Sequence, residues 1–283
     1  MRILLLFGLI TTFVNAYGQD TQRVVKIPVI FHILYADSIQ DNGINAQSRD
    51  RGNNTQYLTT EKIMAELKDL HDDFLLLNAD TSDVLDTFKS RIGNPRVEFF
   101  LADTVLQKGG EKGIIRVPTK RNEHKLYTQS KIINPRRFLN VYVGNIGSSF
   151  VNSYPWTDSK DDAVHLDFTW VGLDYRLLTH EVGHWLGLWH IYGGNGKCKG
   201  DNCKGEGDEV ADTPPQRNCT NTICVYCPPD VPDQSCEKGK SSNYNNYMDY
   251  SGCRRMFTQG QVKKMRGTLT DHRSELWNNS QLK

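Results

Sequence analysis

No cysteine precedes Cys198, and all seven of the chain's cysteines fall between it and Cys253. Any disulfide framework is therefore confined to that stretch. Surplus charge is missing as well. The chain has 34 basic and 33 acidic residues, a formal net charge of +1, so nothing in the charge balance attracts nucleic acid or an acidic membrane surface. Past the N-terminal segment no apolar run approaches the roughly 18 residues of a membrane span. Internal repeats and low-complexity linkers are absent from the 283 residues, a length that suits one large domain or two small ones. Histidine is scarce too, eight in all, which makes the placing of each one informative.

The chain starts MRILLLFGLITTFVNAYGQD. Arg2, the apolar stretch from Ile3 to Val14 and the small residue Ala16 have the layout of a secretory signal peptide, with cleavage expected near 16–19. Residues 1–19 are accordingly set apart from the fold, and the remainder, 20–283, is expected to be secreted. Export into an oxidising compartment implies that most cysteines pair, and seven leaves at least one over.

Periodicity organises the rest. Val24 to Tyr35 reads VVKIPVIFHILY, rich in β-branched and aromatic residues, and predicts a strand. Asp37 to Thr55 is polar and reads as a loop. Thr59 or Thr60 then caps a helix whose Ile63, Leu67, Leu70, Phe74 and Leu77 form one stripe. Further strands are expected at Val97 to Ala102, Ile114 to Val117, Leu139 to Val143 and Val164 to Val171. A second helix is expected from about Asp174 to Leu186. Regular periodicity fails from Leu188 to Asn246, and a last helix starts after Thr258 with Val262, Met265 and Leu269 inward.

The second helix leads into HEVGHWLGLWH, residues 180–190. Side chains four apart on an α-helix differ by about 40° in direction, so His180 and His184 point the same way and can reach one zinc ion. On a continuing helix His190 would lie about 120° from His184 and ~9 Å along the axis. It joins them only if the chain turns, and Gly187 is where a turn costs least. Three protein ligands leave the fourth position of a tetrahedral zinc for water, as in a catalytic site. Glu181 flanks the metal without chelating it. It is placed to take the proton of the zinc-bound water and hand it to a leaving amine. The other histidines have a plainer reading: His32 and His165 in strands, and His71, His124 and His272 in polar surroundings, are ordinary satisfied or solvated side chains.

HExxHxxGxxH with a downstream methionine turn is the metzincin signature. Together with IPVIFHILY, DEVADTPPQ and NNYMDYSGC followed by MFTQGQ, it resembles the pappalysin family over roughly Val24 to Leu276. The resemblance implies an α+β metzincin-type catalytic domain: a twisted mixed sheet with two long helices in an N-terminal subdomain (about 24–187), then an irregular disulfide-bonded C-terminal subdomain (about 188–277) ending in a helix, with a short tail to 283. It implies His180, His184 and His190 as zinc ligands, Glu181 as general base, Tyr250 as the donor to the tetrahedral oxyanion and Met248 as the structural methionine of the turn. It places the strand Val164 to Val171 at the cleft edge, where an extended substrate pairs. It further implies calcium at Asp208, Asp212 and Thr213, and disulfides Cys203–Cys236 and Cys227–Cys253. Two features depart from the family pattern. An acid that follows the turn tyrosine in relatives, and favours basic residues on the leaving side of the cut, is missing here; Ser251-Gly252-Cys253 leads to Arg254-Arg255 instead, so that specificity is not carried over. No early cysteine is available to hold the enzyme latent.

The resulting expectation is a secreted monomeric zinc endopeptidase acting on extended protein or peptide substrates. The rival is a secreted binding or adhesion protein on the same scaffold with structural zinc. Retention of Glu181 speaks for the enzyme.

Overall fold

VKIPVIFHILYA forms the long strand β1, Val25–Ala36. After it come helix α1 (Thr60–Leu75), a 3-10 turn at Ala79–Asp83, the short helix α2 (Asp86–Lys89), β2 (Ile92–Gly93), β3 (Val97–Leu101), β4 (Ile114–Thr119), β5 (Leu139–Gly144), β6 (Phe150–Val151) and β7 (Val164–Asp167). Helix α3 (Leu177–Trp185), β8 (Phe257–Thr258), α4 (Gln259–Asp271) and α5 (Ser274–Asn279) complete the order. The computed structural model describes residues 22–36, 58–103, 111–119, 129–151, 154–157, 160–193, 207–216 and 235–279. The expected signal peptide, the loop from Asp37 to Thr55 and His124 lie outside them.

The main sheet has the order β3-β1-β5-β7-β6, with β4 also on β1. β3 and β4 pair in parallel with the first and second halves of β1, and β5 runs parallel along its other edge. β7 continues the parallel set, while β6 pairs antiparallel with β7. The sheet is thus mixed, as expected. Parallel strands need cover on both faces, and β1 shows both covers. Ile27, Val29, Phe31 and Ile33 share the large core with Ile63, Leu67, Leu70 and Phe74 of α1. Leu34 joins Tyr142, Ile146 and Ala163 on the opposite face.

Several expected elements differ from the observed ones. The strand from Val164 stops at Asp167, whose side chain caps a 3-10 turn by accepting from Thr169 N at 3.0 Å. That strand also lies between β5 and β6, so the edge belongs to β6 and not to Val164–Val171. Leu77 leaves the stripe because Leu76 takes a left-handed φ of 56° and ends α1; Leu77 is 61% exposed. Finally α3 begins at Leu177 rather than Asp174, since Asp174 and Arg176 both have positive φ. With 9 residues against 16 in α1, α3 is the shorter of these two helices.

His32 is satisfied inside the second face. Its Nε2–H donates to Asn140 Oδ1 at 3.0 Å and its Nδ1 accepts from Ser130 Oγ at 2.7 Å. Burial lowers its pKa to about 4. A folded pKa below the unfolded value means that, between about pH 6.5 and 4, the unfolded chain binds a proton here and the folded chain does not. Stability from this residue is therefore complete above pH 6.5 and falls as the pH drops, by on the order of 2 kcal/mol at pH 5. His32→Gln should make the unfolding free energy decline less steeply over pH 6.5–4, by about one proton's worth of slope. Identical slopes in denaturant titrations of the two proteins would refute a neutral His32.

Candidate active site

Helix α3 is buried on nearly every side, and its ends are tied by residues distant in sequence. Its N-terminus has no side-chain cap of its own. Glu66 of α1 takes that role, accepting from Leu178 N at 3.3 Å and from Gly172 N at 2.8 Å. One heptad further along α1, Asp73 accepts from the hydroxyls of Thr179 at 2.7 Å and Tyr247 at 2.6 Å. Burial pushes both carboxyls up to about 7, against the pull of these donors and of Arg176. At the other end Arg273 donates through Nε and Nη2 to Trp185 O at 3.2 and 3.0 Å, and its guanidinium sits 3.7 Å from the Trp185 ring centroid.

The turn comes where the spacing demanded it. Gly187 has φ 88°, its N–H donates to His184 O at 2.8 Å, and Leu188 N donates to Gly183 O at 3.0 Å. A Cβ at Gly187 would also stand 2.7 Å from Thr268 Oγ1. The reversal brings His190 back to the helix. The three Nε2 atoms lie 3.2 Å (His180–His184), 3.2 Å (His180–His190) and 3.0 Å (His184–His190) apart. Two donors bound at about 2.0–2.1 Å on one tetrahedral zinc are about 3.3 Å from each other, so the spacing fits that ion. The far side of each ring agrees. His180 Nδ1–H donates to Tyr247 O at 2.7 Å and His184 Nδ1–H to Leu188 O at 2.8 Å, which leaves the Nε2 lone pairs facing the shared centre. Burial lowers all three pKa values, His184 to about 4, and the neutral imidazole is the form that ligates. Among the described residues, these are the His, Cys, Asp or Glu side chains that converge in this way.

Glu181, Tyr250 and the histidines line one cavity of about 440 Å³, whose lining also includes residues 147–151 and with them the edge strand β6. Glu181 is 5% exposed. Burial pushes its carboxyl up to about 8 and Arg254 opposes that rise; a divalent cation alongside would favour the charged form further. The Tyr250 ring is 4.7 Å from that of His190 and 5.7 Å from that of His180. Met248 is fully buried below the ligands. A Cβ on Gly183 would run into its Sδ, so the glycine between Glu181 and His184 is what lets the methionine turn pack against the helix. The turn itself is held by Asn246, whose Oδ1 accepts from Met248 N at 2.9 Å.

Asp208, Asp212 and Thr213 stand apart from this site. Asp212 caps α4, accepting from Thr258 Oγ1 at 2.6 Å and Gly260 N at 2.8 Å. Asp208 Oδ1 accepts from Thr213 Oγ1 at 2.6 Å. With Asp212 so engaged, the expected calcium set finds no support. Cys236 and Cys253 are in disulfides; the cysteines expected opposite them, Cys203 and Cys227, lie outside the described residues. The structure also adds residues that sequence reasoning passed over. Tyr154 lines the cavity, and Glu66 and Asp73 support it from α1; Arg254, already noted in the sequence, lines it too. The acids' one signal was their seven-residue spacing beside the apolar stripe, a pattern that solvent-facing acids share.

Residues 123–270 match the family model Peptidase_M43, described as Pregnancy-associated plasma protein-A. The chain is 45% identical over 92 residues to "Extracellular metalloprotease 1" of Coccidioides posadasii, covering 32% of this chain and 29% of that protein. It is 43% identical over 92 residues to "Extracellular metalloprotease" of Arthroderma otae, covering 32% and 30%. The chain thus spans less than a third of the length of these curated relatives. Among solved structures, Tannerella forsythia mature mirolysin in complex with a cleaved peptide superposes with a TM-score of 0.69 at 28% identity, over 91% of this chain and 97% of that one. Mirolysin in complex with compound 9 gives 0.71 at 28% identity over the same shares. A helix-borne histidine pair, a third histidine returned by a glycine turn, a methionine beneath them and a match across the whole site together place this chain in the pregnancy-associated plasma protein-A (pappalysin) family of metzincin-type peptidases.

Proposed function

We propose that the chain is a secreted zinc endopeptidase that hydrolyses internal bonds of protein or peptide substrates lying extended along the cleft. The observation that carries this is the convergence of three Nε2 atoms within 3.2 Å beside a buried Glu181 on the wall of an open cavity. The extracellular names of the curated relatives and the signal-like N-terminus support secretion. No helix among the described residues is long and apolar enough to cross a membrane.

Zinc held by His180, His184 and His190 supplies Lewis acidity toward water and the substrate carbonyl. The chain's own residues do the remaining work. Glu181 takes a proton from the attacking water and returns it to the departing amine. Tyr250 donates to the oxygen that becomes negative as the carbonyl carbon turns tetrahedral. Tyr247 O and Leu188 O keep two ligand rings in the right tautomer. The backbone of β6, at the sheet edge facing the cavity, offers hydrogen bonds to an extended peptide. Purified protein should cleave casein or a diverse peptide library, lose that cleavage in a chelator and regain it with added zinc. Failure of the zinc-loaded protein to cut any member of the library would overturn the reading.

A further inference from the structure

The cavity beside Glu181 also holds a cation without a counter-ion in contact. Arg254 is 8% exposed and lines the same space as Glu181 and Tyr250. Its Nη2 donates to Tyr175 O. Its Nε has no hydrogen-bond partner, and no carboxylate among the described residues reaches ion-pair distance of it. The charges that act on it do so from further away, Asp249 first and Glu181 next. Asp249 is already taken: it accepts from Tyr250 N at 2.5 Å and Ser251 N at 3.3 Å on one oxygen, and from Gln216 Nε2 at 2.8 Å on the other.

A buried guanidinium with unfilled donors is unfavourable unless something completes it. Its planar fork of N–H groups matches a carboxylate. Here the residue that carries them lines a cavity wide enough for a side chain. Resting on the peptidase reading, we propose that Arg254 selects substrates with aspartate or glutamate immediately after the cut. The side follows from Glu181. That residue delivers a proton to the departing amine, and Arg254 lines the same cavity. The pocket the two share therefore lies on the amine's side of the scissile bond. Tyr175 and Leu177, in the same wall, supply apolar surface for the methylene stem of such a residue. A carboxylate could also arrive as the C-terminus of a short leaving peptide, and C-terminally amidated substrates separate the two sources.

The test is cleavage-site profiling on an amidated peptide library, with and without chelator, for the wild type, Arg254→Met and Arg254→Glu, each first shown to be folded by thermal unfolding. The wild type should favour Asp or Glu over Gln at the first position after the cut by at least about tenfold in kcat/KM, the scale of one charge-assisted hydrogen bond. Arg254→Met should bring that ratio near one, and Arg254→Glu should turn it toward Lys and Arg. As a readout independent of turnover, calorimetry on the Glu181→Gln variant should show product peptides starting with Glu binding at least about tenfold tighter than those starting with Gln. Chelator-sensitive cleavage with no acidic preference at that position overturns the proposal and spares the peptidase reading. So does a preference that survives in Arg254→Met, or one seen only with free C-termini. Absence of any chelator-sensitive cleavage overturns both.

Discussion

Glu181→Gln should lower the rate of peptide hydrolysis by at least about 10² while leaving the metal bound, since general base catalysis contributes that much or more. The separation of the two effects is what makes the experiment informative. Glu181 is not among the three converging ligands, so elemental analysis should find the variant with the zinc content of the wild type. It is also buried, and glutamine keeps the shape of the side chain, so the melting temperature should hardly move. A variant that keeps its zinc and still cuts at the wild-type rate removes Glu181 from the mechanism. Loss of zinc along with activity would instead make Glu181 part of the metal's own support.

The largest effect on stability is expected well away from the cavity. Asp73→Ala should destabilise the fold by roughly 3–5 kcal/mol, because it strips the acceptor from two buried hydroxyl groups and one counter-charge from a largely buried arginine. Tyr247 and Thr179 both donate to Asp73, and Arg176 approaches it at 3.5 Å. Arg176 keeps Asp69 at 2.9 Å and Asp174 at 3.2 Å, which caps the penalty below that of an isolated buried cation. Asp73→Asn should cost much less: the amide oxygen still accepts a hydroxyl, and burial already favours the neutral form of Asp73. The function should follow, since the Tyr247 carbonyl orients His180. Asp73→Ala is therefore expected to bind zinc more weakly as well as to melt earlier. Equal denaturation midpoints for Asp73→Ala and the wild type would dismiss this network as a source of stability.

How far the sequence could be read depended on whether a residue's role was local. The glycine turn at Gly187 was legible because two helical histidines and a third six residues on cannot share an ion without one. The apolar stripe of α1 and the start of α4 after Thr258 are patterns of a few residues and were equally clear; the capping box that Gln261 closes with Thr258 came with the structure. Pairing order was not. Val164–Asp167 and Phe150–Val151 are both short, and nothing in either says which one a sheet places at its rim. Glu66 and Asp73 escaped notice because the groups they serve lie on α3 and beyond, more than a hundred residues away. Arg254 was visible as the first of two arginines after a turn that lacks the relatives' acid. Its standing alone inside the cavity appeared only once Tyr175, Glu181 and Asp249 had been brought around it.

The two-residue length of β6 has a consequence beyond catalysis. A rim that offers so few backbone groups can align a visiting peptide but holds it weakly, so tight retention has to come from side chains. The same shortness discourages another copy of the protein from docking sheet to sheet and nucleating aggregates, which lets an exposed edge persist at the mouth of the cleft.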